Sequence, residues 1–560
     1  MILRRRAVSH HGPMKRELEA MAKTRYDLLI VGGGITGACV AWDASLRGLR
    51  VALVERGDFG AATSAATSKL IHGGLRYLRR MELGLVRESL HERRILEVIA
   101  PHLVYPIPFL IPTYKGRQGK TPLTLGMIVY ELLAYDRAHV DDPTKRIPGH
   151  RGLSPAEVLE LEPALRREGL TGGVLYYDCQ VFSPERLTLE FLLSAAQRGT
   201  HLANYAEALE FLLDGERLGG ALVEDRISGR RYEIHASAVV NATGPWADLV
   251  LQGLPGRRHK APHRLVRSKG IHLVTRPLTH GNAVVLITEE GRHIFLIPWR
   301  DRTLIGTTDT PYEGHPDDLG VSEGEIAVFL GEVNRAYPSA ALTPDHVLAF
   351  YAGLRPLVDP EPGTETYRAS RRYEIQDHKE EGLPGLFTAV GGKYTTSRGL
   401  ARKLVDHIFQ FLGDEPPTCK TDTTPLWGGN IGIYASFLHR AWDAEGGRVP
   451  RHVLENLVRN YGSRYGDILE LARQEPGLGR TLHPELPEIG AQVVHAVRNE
   501  MAFHLTDVIL RRTGIGTQGD PGEPCLRRVC DLMARELGWR KGRVEEEMER
   551  ARAVYRPNPD

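Results

Sequence analysis

The chain has 560 residues, 42% hydrophobic and 25% charged, enough for two or three domains with sizeable cores. Its 72 basic against 70 acidic residues leave a formal charge of +2, which gives no electrostatic footprint for nucleic acid. Five cysteines, at 39, 179, 419, 525 and 530, form no C-x-x-C pair, which argues against a metal ribbon or a disulfide framework and fits a reducing, cytoplasmic setting with no metal site.

Residues 1–23 are polar and charged, with Arg4, Arg5 and Arg6 but no apolar core, so they are no signal peptide. They read as a disordered leader, with Met14 and Met21 as alternative starts. The sequence from 26 to 55, YDLLIVGGGITGACVAWDASLRGLRVALVE, then reads as strand, glycine turn, helix and strand. Gly32, Gly34 and Gly37 form G-x-G-x-x-G: the first for the tight turn, the second for close approach of a pyrophosphate, the third for helix–strand packing. The helix N-terminus offers free N–H groups to phosphate. Glu55, 18 residues after Gly37, is placed to accept hydrogen bonds from a ribose diol.

The small-residue segment after Glu55 holds Arg56, Thr63, Ser64, Ser68 and Lys69, followed by His72, Gly73 and Gly74, where the main chain can pass close to a flat ligand, and by Arg76 and Tyr77. Residues 82–99 are expected to be helical and 104–112 extended. Residues 121–135 carry Leu125, Ile128, Val129 and Leu132 at helical spacing. That stripe is expected to face a core; the alternative is an apolar surface that enters a membrane or admits a quinone. A strand is expected at 172–181, a helix at 184–197 and an antiparallel meander over 200–234. Ala242, Thr243 and Gly244 form a small-residue turn after a strand, which resembles the second nucleotide-contacting strand–turn of two-dinucleotide-fold flavoproteins. Residues 264–310 alternate as a β-rich insert, and Gly391, Gly392, Lys393, Tyr394, Thr395 and Thr396 join a buried strand to a helix that can face a flavin edge. Residues 415–430 read as a linker, and helices are expected at 433–445, 451–460, 465–473, 488–511 and 524–555. The basic stretch 508–512 and the last helix are expected to form a packed cap; the alternatives are dimerisation or membrane contact. No run of about 18 apolar residues is present, so no spanning helix is expected.

Six stretches, ATSAATSKLIHGGLRYL (62–78), YYDCQV (176–181), NATGPW (241–246), IPWR with GTTDT (297–310), AGLRPL (352–357) and GGKYTTSR (391–398), resemble the FAD-dependent glycerol-3-phosphate dehydrogenases. EMAFHLTDVILRRTG (500–514) is similar to that family's C-terminal domain. The resemblance implies an α/β fold: an FAD-binding Rossmann-like domain of the glutathione-reductase/D-amino-acid-oxidase type, an inserted antiparallel-β substrate domain and a C-terminal α-helical domain. The expected division is 24–115, 171–262 and 350–414 for the FAD-binding domain, 116–170 and 263–349 for the insert, and 431–560 for the helical domain.

The resemblance also implies FAD as the cofactor, glycerol 3-phosphate oxidised to dihydroxyacetone phosphate, and a membrane quinone as acceptor. The protein would then sit at the inner face of the cytoplasmic membrane by peripheral attachment, with a homodimer as a further expectation. Arg76, Arg355, Arg371 and Lys393 are the candidate phosphate cations, with Tyr77 and Thr396 adding hydroxyls; Arg372 is an alternative to Arg371, and Arg355 could instead position the substrate hydroxyl. His272 is the candidate base, its alternative being a packed strand histidine, while Arg76, Arg355 and Lys393 complete the expected catalytic set. Asp309, within GTTDT, joins the expected cofactor residues. The competing activity is an oxidase that passes electrons to O2, whose relatives carry an added internal segment not evident here. An anaerobic form needs an iron–sulfur partner module, for which no C-terminal cysteine cluster exists.

Overall fold

The computed structural model describes residues 14–115, 120–215, 217–252, 265–288, 291–358 and 371–560. Among the described residues there are two sheets, the helices packed on them and a C-terminal helical domain. In the first sheet, strand Tyr26–Val31 lies at the centre, parallel to Val51–Val54 on one side and to Arg231–Asn241 on the other. Leu386–Gly391 extends the sheet in parallel, with Tyr373–Asp377 antiparallel at the edge. Every residue of Tyr26–Val31 is buried, as expected for a parallel strand covered on both faces. Helix Ile35–Leu46 follows it directly and packs on the helices Pro184–Gln197 and Ser397–Leu412. Its close approach to the first strand and the turn depends on Gly37, because a Cβ there would stand 1.9 Å from the Gly32 carbonyl oxygen and 3.3 Å from the Ile30 side chain.

The second sheet is largely antiparallel and is built around Val266–Thr275, Arg302–Gly306, His293–Trp299 and Ala283–Ile287. Strands Val104–Tyr114 and Leu170–Val181 also belong to this sheet, as does Val347–Leu357. The expected division at 116, 171, 263 and 350 therefore assigned these strands to the wrong side. Their pairing partners decide the matter: Val104–Tyr114 and Leu170–Val181 pair with each other over their whole length, and the former adds the strand Ala283–Ile287.

The leader is partly folded. Residues 1–13 lie outside the described residues, but Leu18–Ala22 is a short helix with Leu18 and Met21 buried. Arg16 anchors it, donating to the carbonyls of Asn204 and Tyr205 at 2.7 and 3.0 Å and pairing with Asp225. The expected linker is likewise fastened: the Leu426 N–H donates to the Ile99 carbonyl at 2.9 Å, and the Cys419 thiol donates to Asp43 at 3.0 Å.

Helix Lys120–Leu133 reverses the expected orientation. Leu125 and Leu132 are 64% and 69% exposed, with Ile128 and Tyr135 exposed beside them. Met127, Tyr130 and Ala134 are buried instead. The helix carries a second stripe, and that one wins because the Tyr130 hydroxyl donates to buried Asp178 at 2.6 Å.

In the C-terminal domain, two long helices expected from periodicity are broken. The first stops at Asn499 and restarts at Leu505, where the Asp507 carboxylate accepts the N–H groups of Phe503 and His504 at 2.9 Å. The second breaks at Gly538, a left-handed C-cap. The stretch Val508–Arg512 is a π-helical turn with Val508, Ile509 and Arg512 buried, in keeping with a packed cap and against membrane contact there. Among the described residues, no helix is long and apolar enough to cross a membrane.

Candidate active site

A cavity of about 1140 Å³ runs along the C-terminal ends of the parallel strands and into the second sheet. The expected cofactor residues line it except Gly37, Lys69 and Gly73; so do the expected substrate residues except Thr396. Gly37 serves helix packing, as shown above. Lys69 turns away, with its ammonium bonded to buried Glu185 at 2.9 Å and lying over the rings of Trp299 and Tyr351. Gly73 faces inward, where a Cβ would meet the Tyr130 hydroxyl at 2.3 Å. Thr396 is fully buried, and its hydroxyl donates back to the Lys393 carbonyl at 3.4 Å.

At the dinucleotide end, Ile35–Leu46 points its N-terminus at the cavity, and the Ile35 N–H donates to Ser64 Oγ at 2.9 Å. Glu55 accepts the N–H groups of Gly33 and Gly57 at 2.7 and 2.8 Å. Burial pushes its carboxyl upward, and these two N–H groups offset part of that rise. Further out, the Arg56 guanidinium stacks 4.4 Å from the Trp246 ring, and both bond Asp317 from the second sheet's domain. Nothing in the local sequence marks Asp317; only the tertiary fold brings it there.

At the other end, strand pairing builds the site. Ser268 and His272 share one face of their strand, and Arg355 and Tyr351 lie opposite them on the neighbouring strand. Two glycines make the room. A Cβ at Gly270 would meet the Arg355 guanidinium at 2.2 Å, and one at Gly306 would meet the His272 ring at 2.2 Å. Arg355 donates to the Thr307 hydroxyl at 2.9 Å and to the Thr308 carbonyl at 3.3 Å. Asp309 binds Arg371 at 2.8 Å and accepts the Ser268 hydroxyl at 2.7 Å. Arg371, not Arg372, lines the cavity; the Arg372 side chain is 68% exposed.

His272 is 2% exposed, stacks on Tyr351 at 5.0 Å and meets Ser68 Oγ through Nε2 at 2.8 Å. Burial, with the charges of Arg355 and Lys69, holds its pKa well below the ordinary value, so the imidazole is neutral. His72 is neutral too, pushed down to about 3 by burial and by Lys393. Lys393 is half-buried, with its ammonium 4.2 Å from the Tyr77 ring centroid, and donates to Ser89 Oγ at 2.9 Å. Burial lowers its pKa to about 8. Burial acts upward on the Tyr77 phenol, but Arg76 and Lys393 outweigh it and bring the value down to about 8. Arg76 reaches the same phenol at 3.0 Å.

Sequence reasoning missed the support behind this end. Asp178 accepts from Arg93 at 2.5 Å and from Tyr130, and it takes the Gly73 N–H as well. It thereby holds the glycine pair that delivers His72 and Arg76. The signal was present in YYDCQV, where an acid sits in a buried strand that carries no other charge. The cavity also extends beyond the cations into an apolar arm lined by Ile111, Leu123, Tyr176, Val285 and Phe295.

A long cavity with a glycine turn at a helix N-terminus, a buried carboxylate and a cationic far end suits a flavin dinucleotide, which needs close main-chain approach along its length. Comparison with known proteins agrees. The FAD dependent oxidoreductase family matches residues 27–407, and the C-terminal domain of alpha-glycerophosphate oxidase matches 419–544. A glycerol-3-phosphate dehydrogenase of Synechocystis is 38% identical over 96% of this chain and 97% of its own length. An aerobic glycerol-3-phosphate dehydrogenase of Staphylococcus saprophyticus is 34% identical over 92% of this chain and 91% of its own. Among solved structures, the Bacillus halodurans glycerol-3-phosphate dehydrogenase complexed with FAD superposes with a TM-score of 0.77 at 29% identity, covering 97% of each chain. The chain therefore belongs to the FAD-dependent glycerol-3-phosphate dehydrogenase family, and FAD is its cofactor.

Proposed function

We propose that this protein oxidises sn-glycerol 3-phosphate to dihydroxyacetone phosphate and passes the electrons to a membrane quinone. The observation that carries the reading is the convergence of Arg76, Arg355, Arg371 and Lys393 on the end of the cavity that holds His272. A small dianionic substrate needs several fixed cations, and a single carboxylate needs fewer. Gly32, Gly34, Glu55 and the turn at Ala242–Thr243–Gly244 would hold FAD, which supplies the two-electron acceptor.

The chain's own groups do the rest. Arg371 and Lys393 clamp the phosphate, with Arg76 and Tyr77 closing the pocket. Arg355, fixed by Thr307 and Thr308, orients the C2 hydroxyl. His272 takes the hydroxyl proton at Nε2, the nitrogen that meets Ser68. A neutral imidazole is the form that can accept it. The apolar arm and the exposed face of Lys120–Leu133 support a quinone acceptor and peripheral attachment at a membrane.

Anaerobic mixing of the FAD-loaded protein with sn-glycerol 3-phosphate tests the substrate: the oxidised-flavin band is expected to bleach. Recovery on adding a quinone analogue, and not in air, marks the dehydrogenase; rapid recovery in air with peroxide marks the oxidase. No bleaching would sink the substrate assignment. For attachment, the wild type is expected to pellet with liposomes and a Leu125→Ser/Ile128→Ser/Leu132→Ser variant to remain in solution. Equal pelleting removes that helix from the reading.

A further inference from the structure

Residues 500–514 of the C-terminal domain pack behind the loop that borders the cofactor site. Loop residues Glu55, Arg56, Gly57 and Gly60 line the cavity, but Asp58, in their midst, points the other way and is 2% exposed. Both oxygens of its carboxylate are taken by the C-terminal domain. Arg511 donates from Nε at 2.5 Å, and Arg512 donates from Nη1 and Nη2 at 2.8 and 2.7 Å, the fork-on-carboxylate geometry that fixes orientation. Asn204 adds a fourth donor at 3.0 Å and also bonds the Met501 carbonyl at 2.9 Å.

The clamp is itself rigidly mounted. Arg512 donates to the Glu500 carbonyl at 2.9 Å. Arg511 also holds Asp507 at 2.7 Å, and Asp507 accepts the Tyr205 hydroxyl at 2.7 Å. The Tyr205 N–H returns to the loop, donating to the Gly57 carbonyl at 2.9 Å. Burial would raise the Asp58 carboxyl, but the two guanidiniums outweigh it and keep the group ionised. Two residues past Arg512, the Gly514 carbonyl accepts Arg300 from the hairpin of the second sheet at 3.4 Å. The same short segment thus grips both domains that form the cavity. The direct chemistry uses neither Asp58 nor the arginine pair.

We propose that Asp58, Arg511 and Arg512 are positioning residues through which the C-terminal domain sets the affinity for FAD. By fixing Asp58 from outside, the domain holds Glu55 and Gly57 where the dinucleotide needs them. Coupling of this kind between separate parts of a protein is ordinarily worth about 5- to 150-fold in affinity.

The test uses the full chain, stripped of FAD and titrated with FAD while flavin fluorescence is followed. Asp58→Asn, nearly isosteric, is expected to bind FAD at least about fivefold more weakly. Arg512→Lys, which keeps the charge but loses the fork, is expected to fall between it and the wild type. At saturating FAD, the rate of flavin reduction is expected to stay within about twofold of wild type, because the lost interaction is one of cofactor binding. Met533→Ala serves as control: it opens a hole in the C-terminal core without touching Asp58. An unchanged FAD dissociation constant in Asp58→Asn overturns the proposal. So does a loss in Met533→Ala as large as in Asp58→Asn, since the effect would then be general destabilisation. Where Asp58→Asn yields no folded protein, Arg511→Lys carries the same titration with the same two overturning results.

Discussion

At the dinucleotide end of the cavity, Gly32, Gly34, Glu55 and Ser64 come from one continuous run of chain. At the cationic end, Arg76, His272, Arg355, Arg371 and Lys393 come from separate segments brought together by two sheets. The first end is largely local: a turn, a helix N-terminus and the next strand supply it, with Ala242–Gly244 and the clamp on Asp58 as its distant supports. The second exists only when Val266–Thr275 pairs with Val347–Leu357 in the register that sets Ser268 opposite Arg355. Damage should therefore act differently at the two ends. Backbone changes should dominate at the first and side-chain charge at the second, and each prediction below can break that separation.

The largest effect is expected from Gly37→Val. The first added carbon already stands 1.9 Å from the Gly32 carbonyl oxygen, a backbone atom, and is itself fixed to the helix backbone. Neither can yield cheaply, so the cost is about 3 kcal/mol or more. Purified protein should contain FAD only at the detection limit, by absorbance after denaturation. Normal flavin content would show that the helix can retreat, and the local picture of this end would fail.

Next comes His272→Gln. Loss of a positioned base costs about a hundredfold or more in the reductive step. Stopped-flow reduction should slow by that amount with FAD content unchanged and substrate affinity nearly so. A wild-type reduction rate would leave His272 as a packing residue on Tyr351.

Arg355→Ala should follow, lowering kcat/KM for glycerol 3-phosphate by about tenfold to a hundredfold, the value of one or two charge-assisted hydrogen bonds. Its FAD content should stay at wild-type level. If FAD is lost in parallel, the two ends are one unit and the comparison collapses.

The same division explains what could be read from the sequence. The strand–turn–helix of residues 26–55 was legible because each of its constraints is local. The cations of the far end were legible as residue types but not as a geometry. Arg371 could not be told from Arg372, because only folding sends one to Asp309 and the other to solvent. Lys69 and Thr396 sit inside site-forming segments yet turn away, since backbone direction, and not proximity in sequence, decides what faces a cavity. Helix Lys120–Leu133 carries two apolar stripes, and periodicity alone cannot choose between them. The Tyr130–Asp178 hydrogen bond does. The stretch 508–512 was expected to pack as a cap, but what Arg511 and Arg512 hold was not legible, because their partner, Asp58, lies more than four hundred residues away in the chain.

The smallest effect, and the sharpest test of the charged end, is the pH profile. Lys393 has its pKa lowered from 10.5 to about 8, first by burial. It is therefore charged below pH about 8 and neutral above. The substrate phosphate is a dianion from about pH 6 upward. Loss of the lysine charge should accordingly weaken binding as pH rises through about 8, with kcat/KM falling by at most about tenfold per pH unit. Tyr77, also near 8, is the competing origin of that limb, because its ionisation would place an anion beside the phosphate. The two are separable by substitution. Lys393→Arg keeps a cation that does not titrate and should flatten the limb, whereas Tyr77→Phe should leave it in place. If Tyr77→Phe flattens the limb and Lys393→Arg does not, the phenol is the titrating group, and the phosphate clamp rests on Arg371 and Arg76 without Lys393.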